Sequence, residues 1–180
     1  MEIIRISNEM EQEAFVRGKK MVENGLYDRM GFEDDQRIDK AKLGCIGELA
    51  FSQFLTNKGI AFEIDTGDFS NRHSDEFDFR INGKRIDVKV AKTIKNPQDS
   101  WTYGYPVQQI GHDKEYVVVG AVNEKEKTVS FYGWILFSAI SNYPKTKQNK
   151  FAGFSYSTEN YEFPWGDLNK NFDELINECK

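Results

Sequence analysis

The sequence predicts an α/β fold with a mixed central sheet, built as a single domain over residues 1–180. Two helical patterns fill the first third of the chain, and several strand patterns follow residue 60. An Asn-Gly pair between two of these strands is the strongest short hairpin signal. We expect about five strands flanked by helices. A chain of 180 residues is long enough to bury a core without disulfides.

The first helix is expected from about Asn8 to Glu23. Ser7 is a good N-cap residue, and Gly25 is a typical stop signal after the last turn. Phe15 and Val22 are expected on one side of this helix.

The second helix is expected from roughly Asp34 to Asn57, with Gly59 behind it. Helical spacing places four apolar residues in one stripe: Leu43, Ile46, Ala50 and Phe54. Small residues between them, such as Gly47, would allow the helix to approach a sheet closely.

Strands are expected in the middle of the chain. The predicted strands are Ile60–Ile64, Phe77–Ile81, Arg85–Val90, Tyr116–Val122 and Thr128–Leu136. A polar loop over residues 65–76 separates some of them, and so does an irregular connection over residues 96–113 that has room for one helical turn or a short strand. The run of three valines at 117–119 is typical of a strand buried on both faces.

These elements divide the domain into three regions. Residues 1–33 form an N-terminal helix region, and residues 34–137 form the α-β-β-β-connection-β-β core. Residues 138–180 are expected to hold a mobile basic loop at 141–157 and a closing helix from Asp167 to Cys179.

Composition excludes several classes of protein. Aromatic residues make up 14% of the chain, which argues against disorder. No apolar stretch is long enough to span a membrane, no signal peptide is expected, and two distant cysteines fit a cytoplasmic protein. The net charge of −5 argues against a general nucleic-acid coat, but residues 80–95 carry six basic residues and one acid.

The hairpin around Asn82-Gly83 predicts a cluster of charged side chains. A two-residue loop pairs Phe79 with Ile86 and places Asp78 opposite Asp87, ~4.5–5.5 Å apart at Cβ. Alternation sends the apolar side chains to the core and gives the other face Asp78, Arg80, Arg85, Asp87 and Lys89.

Two opposed carboxylates are unfavourable unless positive charge lies between them. Lys89 supplies part of that charge, and a divalent cation such as Mg²⁺ would supply the rest through oxygen ligands. The alternative is an ordinary solvated strand face whose ion pairs contribute little. Glu48 strengthens the first interpretation, because an acid among small residues on a core helix needs a partner or a site.

This pattern resembles the PD-(D/E)xK nuclease superfamily, which includes restriction endonucleases, junction resolvases, and phage and repair nucleases. The resemblance is carried by Glu48 in Gly-x-x-Gly-Glu, by Asp78, and by Asp87-Val88-Lys89. Phe77 stands where the family motif has Pro, and no clear Gln-x-x-x-Tyr element is present.

The resemblance implies a restriction-endonuclease-like fold and a Mg²⁺-dependent endonuclease acting on DNA, of prokaryotic or phage type. Asp78, Asp87, Glu48 and the Val88 carbonyl would hold Mg²⁺, with Mn²⁺ as a substitute, and Lys89 would orient or activate the attacking water. Many members cut as homodimers, and the first helix would be available as an interface.

Basic residues near the hairpin and in the later loop are candidate phosphate contacts: Arg80, Arg85, Lys92, Lys145, Lys147 and Lys150. Solvated surface is the alternative reading of the loop lysines. Trp101, Tyr103 and Tyr105 are candidates for stacking on bases or for the core. His73 and His112 are better explained as structural or surface residues.

Two other functions remain open at this point. One is a catalytically inactive nuclease fold that binds nucleic acid or serves in assembly. The other is a small acidic regulatory or interaction protein whose Asp/Lys face is merely solvated. Two opposed carboxylates beside phosphates favour the nuclease, since a protein that only binds gains nothing from them.

Overall fold

The structure is a computed structural model that describes residues 1–25, 33–64, 77–111 and 114–180. Two N-terminal helices precede a curled, mixed six-strand sheet of half-barrel shape, and a three-strand antiparallel sheet packs beside it. The expected α/β class with a mixed central sheet is confirmed. The second sheet was not expected.

The helices are α1 (Asn8–Glu23), α2 (Asp34–Asn57), α3 (Phe137–Ile140) and α4 (Phe172–Glu178). The strands are β1 (Glu2–Arg5), β2 (Glu63–Ile64), β3 (Phe79–Ile81), β4 (Lys84–Thr93), β5 (Thr102–Pro106), β6 (Tyr116–Asn123), β7 (Thr128–Leu136), β8 (Lys145–Gln148) and β9 (Ser155–Pro164). The large sheet has the order β1-β7-β6-β4-β3-β2, and the small sheet has the order β5-β9-β8. β4 and β6 run parallel, and the other pairs that the structure describes are antiparallel.

The two long helices have the predicted bounds. The Ser7 hydroxyl accepts a hydrogen bond from the Met10 amide at 3.1 Å, which confirms the predicted cap of α1. Phe15 is 48% exposed, whereas Val22 packs against the core. Smaller residues, among them Ala14 and Gly18, form the buried side, and Gly18 lies against the backbone of α2.

The hairpin between β3 and β4 has the predicted register. Asn82 and Gly83 have φ values of 47° and 84°, as a type I′ turn requires. Phe79 pairs with Ile86, and Arg80 with Arg85. Asp78 lies one residue before β3, so its predicted pairing with Asp87 is not part of the ladder; its amide donates to the Ile86 carbonyl at 3.1 Å.

Strand β6 lies at the centre of the molecule, between two hydrophobic clusters. Val118 and Val122 belong to the cluster beneath the helices, whereas Val117 and Val119 belong to the cluster beneath the three-strand sheet. The valine run therefore has both faces buried, as predicted. The large sheet is the middle of three layers.

Several expectations about elements are wrong or incomplete. Strand β1 lies within the region 1–33 that was expected to be helical, and β2 is shorter than Ile60–Ile64. The segment 141–157, expected as a mobile loop, contains β8 and the start of β9, because β9 pairs with both β5 and β8. The connection before β6, expected to be irregular with one helical turn or a short strand, contains both, namely β5 and the 3₁₀ turn Val107–Gln109.

The polar loop at 65–76, with His73, lies outside the described residues, and so does His112. In the described ranges, every helix is either too short or too polar to cross a membrane.

Candidate active site

The candidate site lies on β4, between the two sheets. Ile86 and Val88 point toward the helices, so the alternate residues Asp87 and Lys89 point toward the three-strand sheet. The side chain of Asp87 is only 1% exposed. A fully solvated polar face is therefore wrong at this position, because β5 covers it.

Asp87 accepts three hydrogen bonds from side chains. Lys89 Nζ donates to Oδ1 at 2.8 Å, and Lys114 Nζ donates to the same oxygen at 2.7 Å. The Tyr105 hydroxyl donates to Oδ2 at 2.9 Å. Two ammonium groups and a phenol thus hold this carboxylate in one position.

Asp78 lies beside Asp87, one residue before β3 begins. Its Oδ2 accepts a hydrogen bond from the Val88 amide at 2.6 Å. The Asp78 side chain thus accepts the bond that a backbone carbonyl would accept if β3 were longer. The amide and carbonyl of a strand residue point to the same strand edge, so the Val88 carbonyl also faces this side. Asp78 is half-buried, and solvent reaches it.

The two carboxylates titrate in opposite directions. Burial and the negative charge of Asp87 raise the pKa of Asp78 to about 7. Burial acts to raise the pKa of Asp87 as well, but the ammonium groups of Lys89 and Lys114 outweigh it and hold that pKa at about 2. Burial disfavours the charged form of Lys89, yet Asp87 and Asp78 raise its pKa well above the usual value. Asp87 is therefore ionised at neutral pH, and Asp78 is poised to gain or lose a proton.

Lys114 is a site residue that the sequence analysis missed. Its side chain is 5% exposed and lies two residues before β6. The parallel pairing of Ile86 with Tyr116 brings the segment before β6 next to Asp87. The only available signal was the prediction that β6 is a buried strand, and that prediction does not specify β4 as its neighbour.

Glu48 lies on α2, which packs on the opposite face of β4. A methyl group added to Gly47 would lie 2.7 Å from Val90 Cγ1, so α2 and β4 are in close contact here. In the residues that the structure describes, no three His, Cys, Asp or Glu side chains are grouped so that they could hold a metal. The structure therefore brings Asp78, Asp87 and Lys89 together without adding Glu48 as a third acid, and its role stays a prediction.

The donor set fits a divalent cation with oxygen ligands. A carboxylate offers about four acceptor positions, and Asp87 uses three of them, so one remains. Asp78 has unused positions, and its pKa is raised by burial first and by the negative charge of Asp87 second; a bound cation would favour the charged form against both. Asp78, the last position of Asp87 and the Val88 carbonyl would hold Mg²⁺, and Mn²⁺ accepts the same ligands.

No family model, curated protein or solved structure matches this chain. Function is therefore inferred from the site itself.

Three of the six predicted phosphate contacts have acidic partners. Arg80 lies 3.3 Å from Glu63, and its guanidinium also covers the Phe77 ring. Arg85 pairs with Glu115 at 3.6 Å. The third residue, Lys92, pairs with Glu124 at 2.5 Å. The three acidic partners offset part of the positive charge that would attract a phosphate.

The other three predicted contacts lie on the small sheet. Lys145 and Lys147 are on β8, and Lys150 follows it. All three are exposed, and Lys145 Nζ lies 5.3 Å from the centre of the Tyr161 ring. The expectation that a loop carries these lysines is wrong, since they lie on the hairpin of β8 and β9. Their contact with nucleic acid stays a prediction.

Proposed function

We propose that this chain is a Mg²⁺-dependent nuclease that hydrolyses phosphodiester bonds in DNA. The observation that carries the proposal is the pair Asp78 and Asp87 with Lys89 beside it, where β3 begins next to β4. Neighbouring carboxylates of opposite pKa shift are typical of catalytic sites.

The element order also supports the proposal. A helix (α2) precedes the antiparallel strands β2, β3 and β4, and a connection leads to β6, which is parallel to β4. The same order of helix, three strands, connection and strand is a feature of the restriction-endonuclease-like core that the motif resembles.

Each residue of the site has a separate task. Bound Mg²⁺ would lower the pKa of a water molecule and neutralise a phosphoryl oxygen. Asp78 supplies an oxygen ligand that solvent can reach. Asp87 is fixed by three donors and supplies one further ligand position. Lys89, whose side chain is 22% exposed, can hydrogen-bond the attacking water or a non-bridging oxygen of the phosphate.

A second candidate is an inactive nuclease fold that binds nucleic acid or serves in assembly. The charges of Lys89 and Lys114 already balance those of Asp78 and Asp87, so the cluster is stable in principle without a metal. The other alternative, a small acidic regulatory or interaction protein with a solvated Asp/Lys face, is less well supported, because Asp87 is buried.

The test is cleavage of plasmid, duplex and single-stranded oligonucleotides in Mg²⁺ and in EDTA. Asp78→Asn keeps an oxygen that accepts the Val88 amide hydrogen, so it removes the charge without breaking the fold. We expect a loss of about 100-fold or more in this variant. Asp35→Asn, an exposed change at the start of α2, is the matched control.

Cleavage by Asp78→Asn at the rate of the unmodified protein would reject the site. Cleavage that persists in EDTA would reject the role of the metal. Absence of cleavage with retained DNA binding would favour the inactive fold.

A further inference from the structure

A groove of about 1100 Å³ begins directly beyond the candidate site. One wall is the end of β4 and the two residues after it (residues 90–95), which follow Lys89 in the chain. The other walls are β5 and the turn between β8 and β9. Tyr103 and Gly104 of this groove precede Tyr105, whose hydroxyl binds Asp87.

Aromatic side chains line this groove. Phe151 and Phe154 are 54% and 53% exposed, which is unusual for phenylalanine. The rings of Trp101 and Phe151 have centres 6.2 Å apart, and those of Phe154 and Tyr156 have centres 5.2 Å apart. The groove therefore offers several ring surfaces close together.

Buried polar side chains hold the turn that displays the two phenylalanines. Asn149 Nδ2 donates to the Tyr156 hydroxyl at 2.7 Å, and Asn149 Oδ1 accepts from the Ala152 amide at 2.6 Å. Glu162, which is 4% exposed, accepts from the Lys150 amide at 2.8 Å. These bonds fix the positions of the exposed rings before any ligand arrives, which reduces the entropy cost of binding.

The charge of the groove favours an anion. Its described lining includes three lysines and neither Asp nor Glu, although the whole chain has a net charge of −5. Lys92 is paired with Glu124, whereas Lys95 has no acidic partner among the described residues. Rings beside unpaired positive charge are typical of surfaces that bind unpaired nucleotides.

We propose that this groove binds single-stranded DNA and leads it to the Asp78–Asp87 site. Unpaired bases stack on the exposed rings, and phosphates contact Lys95. Duplex DNA does not fit this mode, because its base faces are already stacked on one another. The proposal rests on the proposed nuclease function and specifies its substrate as a strand with an unpaired segment.

The test is binding of a labelled 16-nucleotide single strand in EDTA, followed by fluorescence anisotropy. Because cleavage is blocked, binding is measured apart from catalysis. The variant carries Phe151→Ala and Phe154→Ala, two exposed changes that leave the core intact. We expect binding to be about 10- to 100-fold weaker. Phe15→Ala, which removes an exposed ring on α1, is the matched control and should bind normally.

A second variant, Lys95→Ala, separates the phosphate contact from stacking. The dependence of log Kd on log salt should fall by about one ion for the single strand. Duplex of the same sequence should bind more weakly than the single strand and should be unaffected by the double phenylalanine variant.

Unchanged single-strand binding by the double variant, or preference for duplex, would overturn the groove proposal while leaving the nuclease proposal standing. Tighter binding of the RNA version would overturn the assignment to DNA. Loss of single-strand binding in the double variant, in a protein that cleaves nothing in Mg²⁺, would support the groove and reject the nuclease.

Discussion

Lys89 and Lys114 contact the same oxygen of Asp87, but they differ in access to solvent. The side chain of Lys114 is 5% exposed, whereas that of Lys89 is 22% exposed. A buried ammonium can only neutralise the carboxylate, while a partly exposed one can also contact a ligand. We therefore propose a structural role for Lys114 and, within the proposed nuclease, a catalytic role for Lys89.

This division predicts different results for two alanine substitutions. Lys114→Ala removes the more buried partner of Asp87, while Lys89 and Tyr105 still contact the carboxylate, and should lower the free energy of unfolding by about 1.5–3 kcal/mol. Lys89→Ala leaves the Lys114–Asp87 pair intact and should lower stability less, while cleavage is lost. Urea unfolding and the cleavage assay measure the two effects, with exposed Lys125→Ala as the control.

The assignment is wrong if Lys89→Ala cleaves DNA normally. It is also wrong if Lys114→Ala is as stable as the unmodified protein.

At the scale of elements, contact between α2 and β4 sets the position of the site strand. Gly47 faces the side chain of Val90, and a methyl group at residue 47 would lie 2.7 and 2.9 Å from its two Cγ atoms. These distances are too short for a normal contact. β4 carries Asp87 and Lys89 on its other face. A steric clash between α2 and Val90 would therefore shift β4 and displace these two side chains.

Gly47→Ala should therefore destabilise the protein by about 1–3 kcal/mol and reduce cleavage. Val90→Ala removes the atoms that clash, so the double variant should recover part of this loss relative to the sum of the single changes. Thermal unfolding of the four proteins measures the coupling. Strict additivity would show that this contact does not position β4.

Local signals predicted the elements that depend on neighbouring residues. The Ser7 cap, the bounds of α2 and the Asn82-Gly83 register follow from short-range rules, and the structure has them. The three-strand sheet depends on pairing between Thr102 and Pro164, which are far apart in the chain, and no local pattern encodes that pairing. The cluster of Asp78, Asp87 and Lys89 lies within one hairpin, so the sequence predicted it. The contacts of Asp87 with Tyr105 and Lys114 depend on distant pairing, so the sequence did not predict them.

At the scale of the whole molecule, the three layers bury the site and make stability depend on pH. The pKa of Asp78 is raised to about 7, so between about pH 4 and 7 the folded protein keeps a proton that the unfolded chain releases. The free energy of unfolding should fall as pH rises through this range, by up to about 1.4 kcal/mol per unit. Asp87 has the opposite effect on stability, because its pKa is lowered to about 2 in the folded protein. The stability that its ionised form contributes is lost as pH falls below about 4.

Urea unfolding in EDTA at pH 5 and pH 7.5 measures this effect. Asp78→Asn cannot ionise, so it should lack the part of the decrease that Asp78 causes, while Asp35→Asn should show the full decrease. Equal pH slopes for Asp78→Asn and the unmodified protein would show that the Asp78 pKa is not raised in the folded state.

The central claim is that Asp78 and Asp87 together bind a divalent cation, and calorimetric titration with Mn²⁺ at pH 7.5 tests it most directly. We expect saturable Mn²⁺ binding by the unmodified protein and by Asp35→Asn, and loss of that binding in Asp78→Asn. An absence of Mn²⁺ binding, or equal binding by Asp78→Asn, would contradict it.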